Sequence, residues 1–250
     1  GVRLVGSEMC IRDSTPFVLK GAGADLDSDP LNYTWEQIDL GTESSSPATM
    51  VDDGSRPLFR FVAPTSVPER TLPSLTSLLT NTLAIGEAWP ATNRDLNFRL
   101  TARDGKGGVA SDDMKIQVVN TGKAFALTSP VVTPLGAGKT QTISWEVAGT
   151  NAAPINCSKV DLFMTRDEGA NWTSLASGKP NSGSASVTIP AGQDGTARLK
   201  VACSDNIFFA ISPLKLSVTQ RGEEGGSGGG GALGFWTLAL ALLGWQRRRA

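Results

Sequence analysis

The chain has 250 residues, of which 23 are lysine or arginine and 24 are aspartate or glutamate, so its formal net charge is −1. This balance gives no electrostatic reason to expect a nucleic-acid partner. The sequence has no histidine, which excludes Ser-His-Asp and Cys-His catalysis and the histidine ligands of common zinc peptidases within this chain. Plentiful glycine and proline, with short apolar-alternating segments between turn residues, predict an all-β chain.

Residues 1–14 differ from the rest of the sequence. Residues 9–14, Met-Cys-Ile-Arg-Asp-Ser, look like the translation of a transposase adapter used in sequencing libraries. This stretch also lacks the apolar core of a secretory signal peptide. We therefore interpret residues 1–14 as an adapter artefact or a disordered lead-in and leave them out of the predicted fold. We expect the natural N-terminal part of the protein to be missing from this fragment.

A first module is predicted over residues 15–120. Alternating apolar residues predict strands at Phe17 and Leu19, residues 31–37, Phe59 and Phe61, residues 96–102 and residues 109–119. The turn Asp-Gly-Lys-Gly-Gly at residues 104–108 supplies the positive φ angles of a hairpin between the last two strands. Leucines at near-helical spacing indicate a short helix or an ordered loop over residues 72–85.

A calcium site is predicted in this module. Asp25, Asp27 and Asp29 alternate in one loop, so their carboxylates can converge on Ca²⁺, which takes roughly six to eight oxygen ligands. The shell would be completed from the hairpin by Asp104, or by Asp112 and Asp113. The alternative is an Asp-rich turn whose carboxylates make Asx-turn bonds and face water. The loop lacks the glycine and glutamate of an EF-hand.

The order of these motifs resembles a known class of module. An Asp-x-Asp-x-Asp loop precedes a Leu-x-Tyr-x-Trp strand, and an Arg-Asp-Gly-x-Gly-Gly hairpin follows late in the module. This arrangement resembles the PKD-like and cadherin-like Ig modules of secreted bacterial proteins. The resemblance implies an Ig-like β-sandwich for residues 15–120.

A second module is predicted over residues 123–219. Seven short strands at about ten-residue spacing favour an Ig-like or fibronectin-III-like sandwich. The strands lie at Phe125 and Leu127, residues 140–147, residues 160–164, Trp172 and Leu175, Val187 and Ile189, Leu199 and Val201, and residues 214–218. Trp145 and Trp172 lie in strand-like alternation, so we place them in the core rather than on a carbohydrate-binding surface.

Two cysteines remain once Cys10 is set aside with residues 1–14. An even pair in an exported chain predicts a disulfide between Cys157 and Cys203. Closing that loop would stabilise the module by roughly 4 kcal/mol in the chain-entropy model. The alternative is two separate buried thiols.

Four segments together resemble the C-terminal accessory region of secreted bacterial reprolysin-like zinc metallopeptidases. They are residues 31–37, 96–113, 145–156 and 203–211. The His-Glu-x-x-His helix of that family is absent, so no catalytic residue is carried over. The resemblance implies a non-catalytic region, with the catalytic domain upstream in the same protein and missing from this fragment.

Two alternatives to this interpretation stay open. The first is a surface-displayed adhesion or binding module with no protease partner. The second is an independent hydrolase that uses a carboxylate pair such as Asp112 and Asp113. The hydrolase is the weaker alternative, because neighbouring residues on a strand point to opposite faces.

The end of the chain has three parts with separate physical roles. A glycine-rich linker (residues 220–231) precedes an uncharged apolar segment (232–245) and an arginine cluster. Residues 232–250 are therefore predicted to be a single short transmembrane helix with a basic stop. A helix of 14 residues would span about 21 Å at ~1.5 Å per residue, short of a hydrocarbon core of roughly 30 Å. The arginines would stay cytoplasmic under the positive-inside rule. The alternative is a buried C-terminal helix of a soluble domain.

The three-part pattern resembles the GlyGly-CTERM sorting signal of Gram-negative bacteria. The matching residues outside the apolar segment are Gly225, Gly226, Gly228, Gly229, Gly230, Gly231, Arg247, Arg248 and Arg249. The resemblance implies transient insertion in the inner membrane and cleavage near the glycines by a rhombosortase, an intramembrane protease of the rhomboid family. Export machinery would then deliver the protein to the cell surface or the medium.

Overall fold

A computed structural model describes residues 2–4, 8–42, 46, 49–131, 133–192 and 194–220. Over these residues the chain is all-β apart from one six-residue helix. No helix in the described ranges is both long and apolar enough to cross a membrane. The predicted cleavage and membrane segments, residues 221–250, lie outside these ranges.

The first module consists of two sheets. Its elements are β1 (Val2–Leu4), β2 (Glu8–Arg12), β3 (Phe17–Gly23), β4 (Asn32–Gln37), β5 (Glu69–Leu72), α1 (Leu75–Thr80), β6 (Arg94–Arg103) and β7 (Val109–Val119). One sheet has the order β1-β3-β5 and the other β2-β7-β6-β4. Phe17 of the first sheet meets Phe98 of the second edge-on, with ring centroids 6.1 Å apart. The core of the module therefore lies between the sheets.

The predicted β6–β7 hairpin is confirmed. The two strands pair antiparallel from Arg94 opposite Val118 to Arg103 opposite Val109. Gly105 and Gly107 of the turn have φ angles of 71° and 113°, which glycine adopts without a steric penalty. In β6 and β7, most residues that face the first sheet are buried and most of those between them are more exposed, as period-two alternation requires.

Residues 8–12 are part of the fold, so their exclusion as a disordered lead-in was wrong. Strand β2 pairs in parallel with β7, from Glu8 opposite Lys115 to Arg12 opposite Val119. Ile11 is completely buried in the core. Without β2, strand β7 would present an unpaired row of backbone groups at the edge of the sheet. The likeness of residues 9–14 to an adapter stays a prediction about their origin.

The strand predicted at Phe59 and Phe61 does not form. Phe59 makes a single bridge to Glu87, and the side chain of Phe61 is 59% exposed. The N–H groups of Leu58 and Phe59 donate to Oε1 of Gln37 at 2.7 and 3.0 Å. Because a side-chain amide accepts these bonds, no partner strand is needed.

The long connection between β4 and β5 is anchored by a buried carboxylate. Asp52, whose side chain is 0% exposed, pairs with Arg94 at 2.8 Å. It also accepts hydrogen bonds from the N–H groups of Gly54, Ala91 and Thr92 at 2.8 to 3.0 Å. Although burial raises the pKa of Asp52, these bonds together hold it below its usual range.

The second module also consists of two sheets. Its strands are β8 (Ala126–Ser129), β9 (Leu135–Gly136), β10 (Thr140–Glu146), β11 (Lys159–Thr165), β12 (Thr173–Pro180), β13 (Ser184–Thr188), β14 (Gly195–Cys203), β15 (Phe209–Ile211) and β16 (Leu216–Thr219). One sheet has the order β13-β10-β8, and the other runs β12-β11-β14-β16-β9 with β15 also paired to β14. Trp145 is buried in the core, as predicted.

Helix α1 confirms the short helix expected within residues 72–85. The Ser74 side chain caps its first turn by accepting from the N–H of Ser77, and Asn81 ends it in the left-handed conformation with φ 53°. Leu78 packs inward. The C-terminal end of α1 faces the second module through the contact of Leu79 described below.

Candidate functional site

The predicted calcium ligands fall into two separate turns. Oδ1 of Asp25 accepts hydrogen bonds from the N–H groups of Asp27 and Asp29 at 2.9 and 3.2 Å. Oδ1 of Asp104 accepts from the N–H groups of Lys106 and Gly108 at 2.7 and 2.9 Å. The bond from Lys106 is the main reason that the pKa of Asp104 lies below its usual value. These are the Asx-turn bonds of the alternative interpretation.

Only two of the four aspartates line a common depression. Asp25 and Asp104 border a hollow of about 180 Å³ at the tip of the first module. In the part of the chain that the structure describes, one group of three potential metal-binding residues has its ligand atoms within 4.8 Å of one another. The group consists of Cys157, Cys203 and Asp205 and includes none of the predicted calcium ligands. The calcium site therefore stays a prediction.

One carboxylate of the pair considered for hydrolysis, that of Asp113, is engaged by an arginine. Arg99 donates from Nε and Nη2 to the two carboxylate oxygens of Asp113 at 2.7 and 2.8 Å. This bidentate bond holds the pKa of Asp113 below its usual value. A general acid needs a raised pKa at neutral pH, so the geometry favours a surface ion pair.

The predicted disulfide between Cys157 and Cys203 is confirmed, with the two Cα atoms 6.0 Å apart. Because the sulfurs are bonded to each other, they are not thiolates that could join Asp205 around a metal ion. The bridge lies at the base of residues 204–208, which we call the junction loop. The N–H of Cys203 donates to the carbonyl of Phe208 at 3.1 Å and closes this loop.

The junction loop joins the two modules through backbone hydrogen bonds. The N–H of Val18 donates to the carbonyl of Ile207 at 2.9 Å, and the N–H of Phe209 donates to the carbonyl of Pro16 at 3.0 Å. These bonds place Phe17 opposite Phe208 in an antiparallel bridge. Phe208 is also edge-on to Phe125, with ring centroids 5.1 Å apart. The first residue of β3 is thus bridged directly to the second module.

A buried arginine makes a second tie between the modules. The side chain of Arg198 is only 6% exposed. Its Nη1 donates to the carbonyl of Ser212 at 2.9 Å and its Nη2 to the carbonyl of Leu79 at 2.7 Å. Leu79 lies in the last turn of α1, where carbonyl groups lack helical partners and attract a cation. Glu168 balances the charge from 3.4 Å.

An uncharged cleft of about 240 Å³ lies beside this junction. Its lining is drawn from both modules: Ser14, Pro16, Ser77, Leu78, Asn81, Thr82, Leu83, Trp89, Phe125, Ala126, Leu127, Ala210, Ile211 and Pro213. No local sequence pattern predicts this cleft, because its walls come together only when the modules pack against each other.

On the outer face of the second module, three aromatic rings surround a lysine. The Nζ of Lys200 lies 4.0 Å from the ring centroid of Trp172, 4.9 Å from that of Phe163 and 5.9 Å from that of Phe209. We call these four residues the aromatic corner. Lys200 is opposite Phe163 in the β11–β14 ladder. Its chain neighbours on β14 are fully buried, so the corner is on the face away from the core.

The core position predicted for Trp172 was therefore wrong. Trp172 is only partly buried, and its ring lies against the Lys200 ammonium at 4.0 Å. It immediately precedes β12 (Thr173–Pro180), so the alternation within that strand does not fix its direction. Phe209, in contrast, is 5% exposed and forms the inner wall of the corner.

The charge of Lys200 is not matched by a close carboxylate. Within the described ranges, none of the ion pairs shorter than 4.0 Å includes Lys200. Burial lowers the pKa of Lys200 to about 8; the nearby Lys20 lowers it further and Glu69 opposes the shift. Lys20 and Glu69 belong to the first module, where they are opposite each other in the β3–β5 ladder. Charges of the first module thus act on a lysine of the second.

No family model matches the sequence, and no curated protein matches it. Among solved structures, the chain is similar to the N-terminal Ig1-2 module of the Drosophila receptor protein tyrosine phosphatase DLAR, with 12% identity, a TM-score of 0.39 and coverage of 88% of this chain and 97% of that chain. It is also similar to the three N-terminal domains of the bacteriophage RB49 outer capsid protein Hoc (12% identity, TM-score 0.28, 89% of this chain, 70% of that chain).

A third similar structure is the insect immune protein hemolin, with 12% identity and a TM-score of 0.24 over 86% of this chain and 45% of that chain. This chain therefore spans less than half of the hemolin structure. At such TM-scores the likeness carries no functional argument, and the assignment of two sandwiches rests on the strands, sheets and core described above.

Proposed function

We propose that this chain is a non-catalytic accessory region of an exported bacterial protein, in which two β-sandwiches form one stiff unit. The observation that carries the proposal is the junction. The modules are connected by a backbone bridge between Phe17 and Phe208 and by a hydrogen bond from the buried Arg198 side chain to the carbonyl of Leu79. Both contacts add to the covalent connection of the chain. Two sandwiches joined in this way would hold a domain on their N-terminal side at a fixed distance from the segment on their C-terminal side.

The Cys157–Cys203 disulfide supports the exported location, because such bridges persist in oxidising compartments. Calcium at the hollow between Asp25 and Asp104 belongs to the same proposal, because Ca²⁺ is available outside the cell and prefers carboxylate oxygens.

In its finer form, the proposal places this region at the C-terminus of a secreted reprolysin-like zinc metallopeptidase. The four resembling segments support this parent, and a histidine-free region leaves the zinc ligands to an upstream domain. The glycine tract, apolar segment and arginine cluster of residues 225–249 support transient insertion in the inner membrane and processing by a rhombosortase, followed by release to the surface or medium.

The second candidate is a surface-displayed adhesion or binding module. One observation favours it: the aromatic corner places partly exposed rings and an unmatched cation on an outer sheet face, where a spacer needs neither. The two candidates are compatible, since an accessory region can also bind the substrate of its enzyme.

The genomic DNA upstream of the codon for Thr15 tests whether the region belongs to a metallopeptidase. A His-Glu-x-x-His motif in the same reading frame is the expected result, and a start codon with a signal peptide directly before Thr15 would overturn the metallopeptidase parent. Proteolytic activity of the purified chain would contradict a non-catalytic role.

Mass spectrometry of the exported protein tests the sorting step. The expected mature C-terminus lies within or just before residues 225–231. Intact residues 247–250 on exported protein would refute the cleavage.

A further inference from the structure

The aromatic corner combines two features that an anionic, ring-shaped ligand needs. Phe163, in β11, and Trp172, directly before β12, are large aromatic residues, yet both are partly exposed. Lys200 lies between them with its ammonium 4.0 Å from the Trp172 ring centroid. Aromatic side chains usually contribute most to stability when they are buried, so their position here is not explained by the core.

The ammonium of Lys200 lacks a charged partner among the described residues. Three aromatic rings have their centroids within 6 Å of it, and their quadrupoles attract a cation but do not replace a carboxylate. Partial burial without a counter-ion lowers the pKa of this lysine. An incoming anion would restore the electrostatic stabilisation that burial has removed.

Two charged residues of the first module act electrostatically on Lys200. Lys20 and Glu69, both exposed, lie on the β3–β5 ladder and act on Lys200 with opposite signs. An anion bound at Lys200 would be attracted by Lys20 and repelled by Glu69. These opposite effects distinguish binding of an anion from binding of a neutral ligand.

We propose that the aromatic corner binds a uronic-acid residue of an acidic polysaccharide, with its pyranose ring on Trp172 and its carboxylate on Lys200. The Lys200 ammonium covers one face of the indole, so the C–H groups of the pyranose pack against the parts of the Trp172 and Phe163 rings that stay exposed. The lysine ammonium is a compact point charge that accommodates one carboxylate without a fixed fork geometry. This inference adds a ligand class to the binding role and does not depend on a metallopeptidase parent.

The test is calorimetric titration of the full chain with an oligogalacturonate and with the carboxyl-reduced oligosaccharide of the same length. Binding of the acidic sugar alone is expected. Lys200→Gln and Trp172→Ala should each weaken it by about tenfold or more, since each removes one of two principal contacts. Lys20→Gln should weaken it by about threefold, and Glu69→Gln should tighten it by a similar factor.

Lys215→Gln is the matched control, because Lys215 is a lysine of the same module whose charge is already paired with Glu168 at 2.7 Å. The affinity of this variant should match that of the parent chain. The gain expected from Glu69→Gln cannot arise from misfolding. No binding at millimolar oligogalacturonate, equal binding of the reduced sugar, or equal affinity of Glu69→Gln and the parent chain would each overturn the proposal. Competition by inorganic phosphate at equal concentration would also overturn it, because the site would then select charge alone.

Discussion

The two modules are both β-sandwiches, yet different chemistry holds their irregular segments in place. In the first module, the long connection between β4 and β5 is held by the buried pair of Asp52 and Arg94 and by Gln37. In the second module, the corresponding constraint is covalent, since Cys157 and Cys203 fix the junction loop. The first module should therefore respond to loss of charge and the second to loss of the disulfide.

The largest effect is expected from Asp52→Ala. The change leaves the Arg94 guanidinium, only 6% exposed, without its carboxylate, and breaking a buried pair in this way costs about 3–5 kcal/mol. Urea denaturation should show this loss in the free energy of unfolding. Asp113→Ala is the control, because it removes an exposed ion pair whose contribution should be below about 1 kcal/mol. Equal effects of the two changes would refute the anchoring role of Asp52.

A somewhat smaller effect is expected when the disulfide is removed. The Cys157→Ala, Cys203→Ala double variant should unfold with a free energy lower by about 2–4 kcal/mol, because the denatured chain gains the entropy of an open loop. Denaturation monitored by intrinsic fluorescence measures the change. Cys10→Ala, which removes a free cysteine, should leave the free energy of unfolding nearly unchanged. A double variant with the same free energy of unfolding as this control would contradict a stabilising role of the disulfide.

Acid should weaken the first module through Asp52. The folded-state pKa of Asp52 lies below its usual value, so its contribution is fully present above about pH 4, the unfolded value, and is lost as the pH falls towards the folded pKa. The stability difference between the parent chain and Asp52→Asn should therefore shrink as the pH falls below about 4. A difference that stays constant from pH 6 to pH 3 would exclude this linkage.

Calcium should give the smallest effect. If Ca²⁺ binds at the hollow between Asp25 and Asp104, the melting temperature of the chain should be higher in millimolar calcium than in EDTA, because the ion binds only the folded state. Asp25→Asn should remove the difference, whereas Asp113→Asn should keep it. Identical melting temperatures in calcium and EDTA would rule out the site.

The sequence predicted the regular parts of both modules because their signals are local. The β6–β7 hairpin follows from alternation and a glycine-rich turn, and the disulfide follows from an even cysteine pair. Strands β9 and β15, with two and three residues, are too short to show a period. They form because the β14 and β16 strands offer backbone partners.

The junction and the aromatic corner could not be predicted in the same way. Phe17 and Phe208 meet only through the packing of the modules, and no local pattern pairs residues so far apart in the chain. Trp172 precedes its strand, so its side chain direction depends on the turn before β12. Lys200 has no local sequence signal, because its aromatic neighbour Phe163 lies opposite it on a different strand.

The claim that the modules form one stiff unit can be tested directly by pulsed electron–electron double resonance, which measures the distribution of distances between two spin labels. Spin labels at Lys106→Cys and Ser186→Cys, both exposed positions on different modules, would be placed in a Cys10→Ser background. One narrow distance distribution is expected for the otherwise unchanged chain. Combining Phe208→Ala with Arg198→Ala should broaden it, whereas the exposed control Arg99→Gln should not. A broad distribution in the otherwise unchanged chain would contradict a stiff pair of sandwiches.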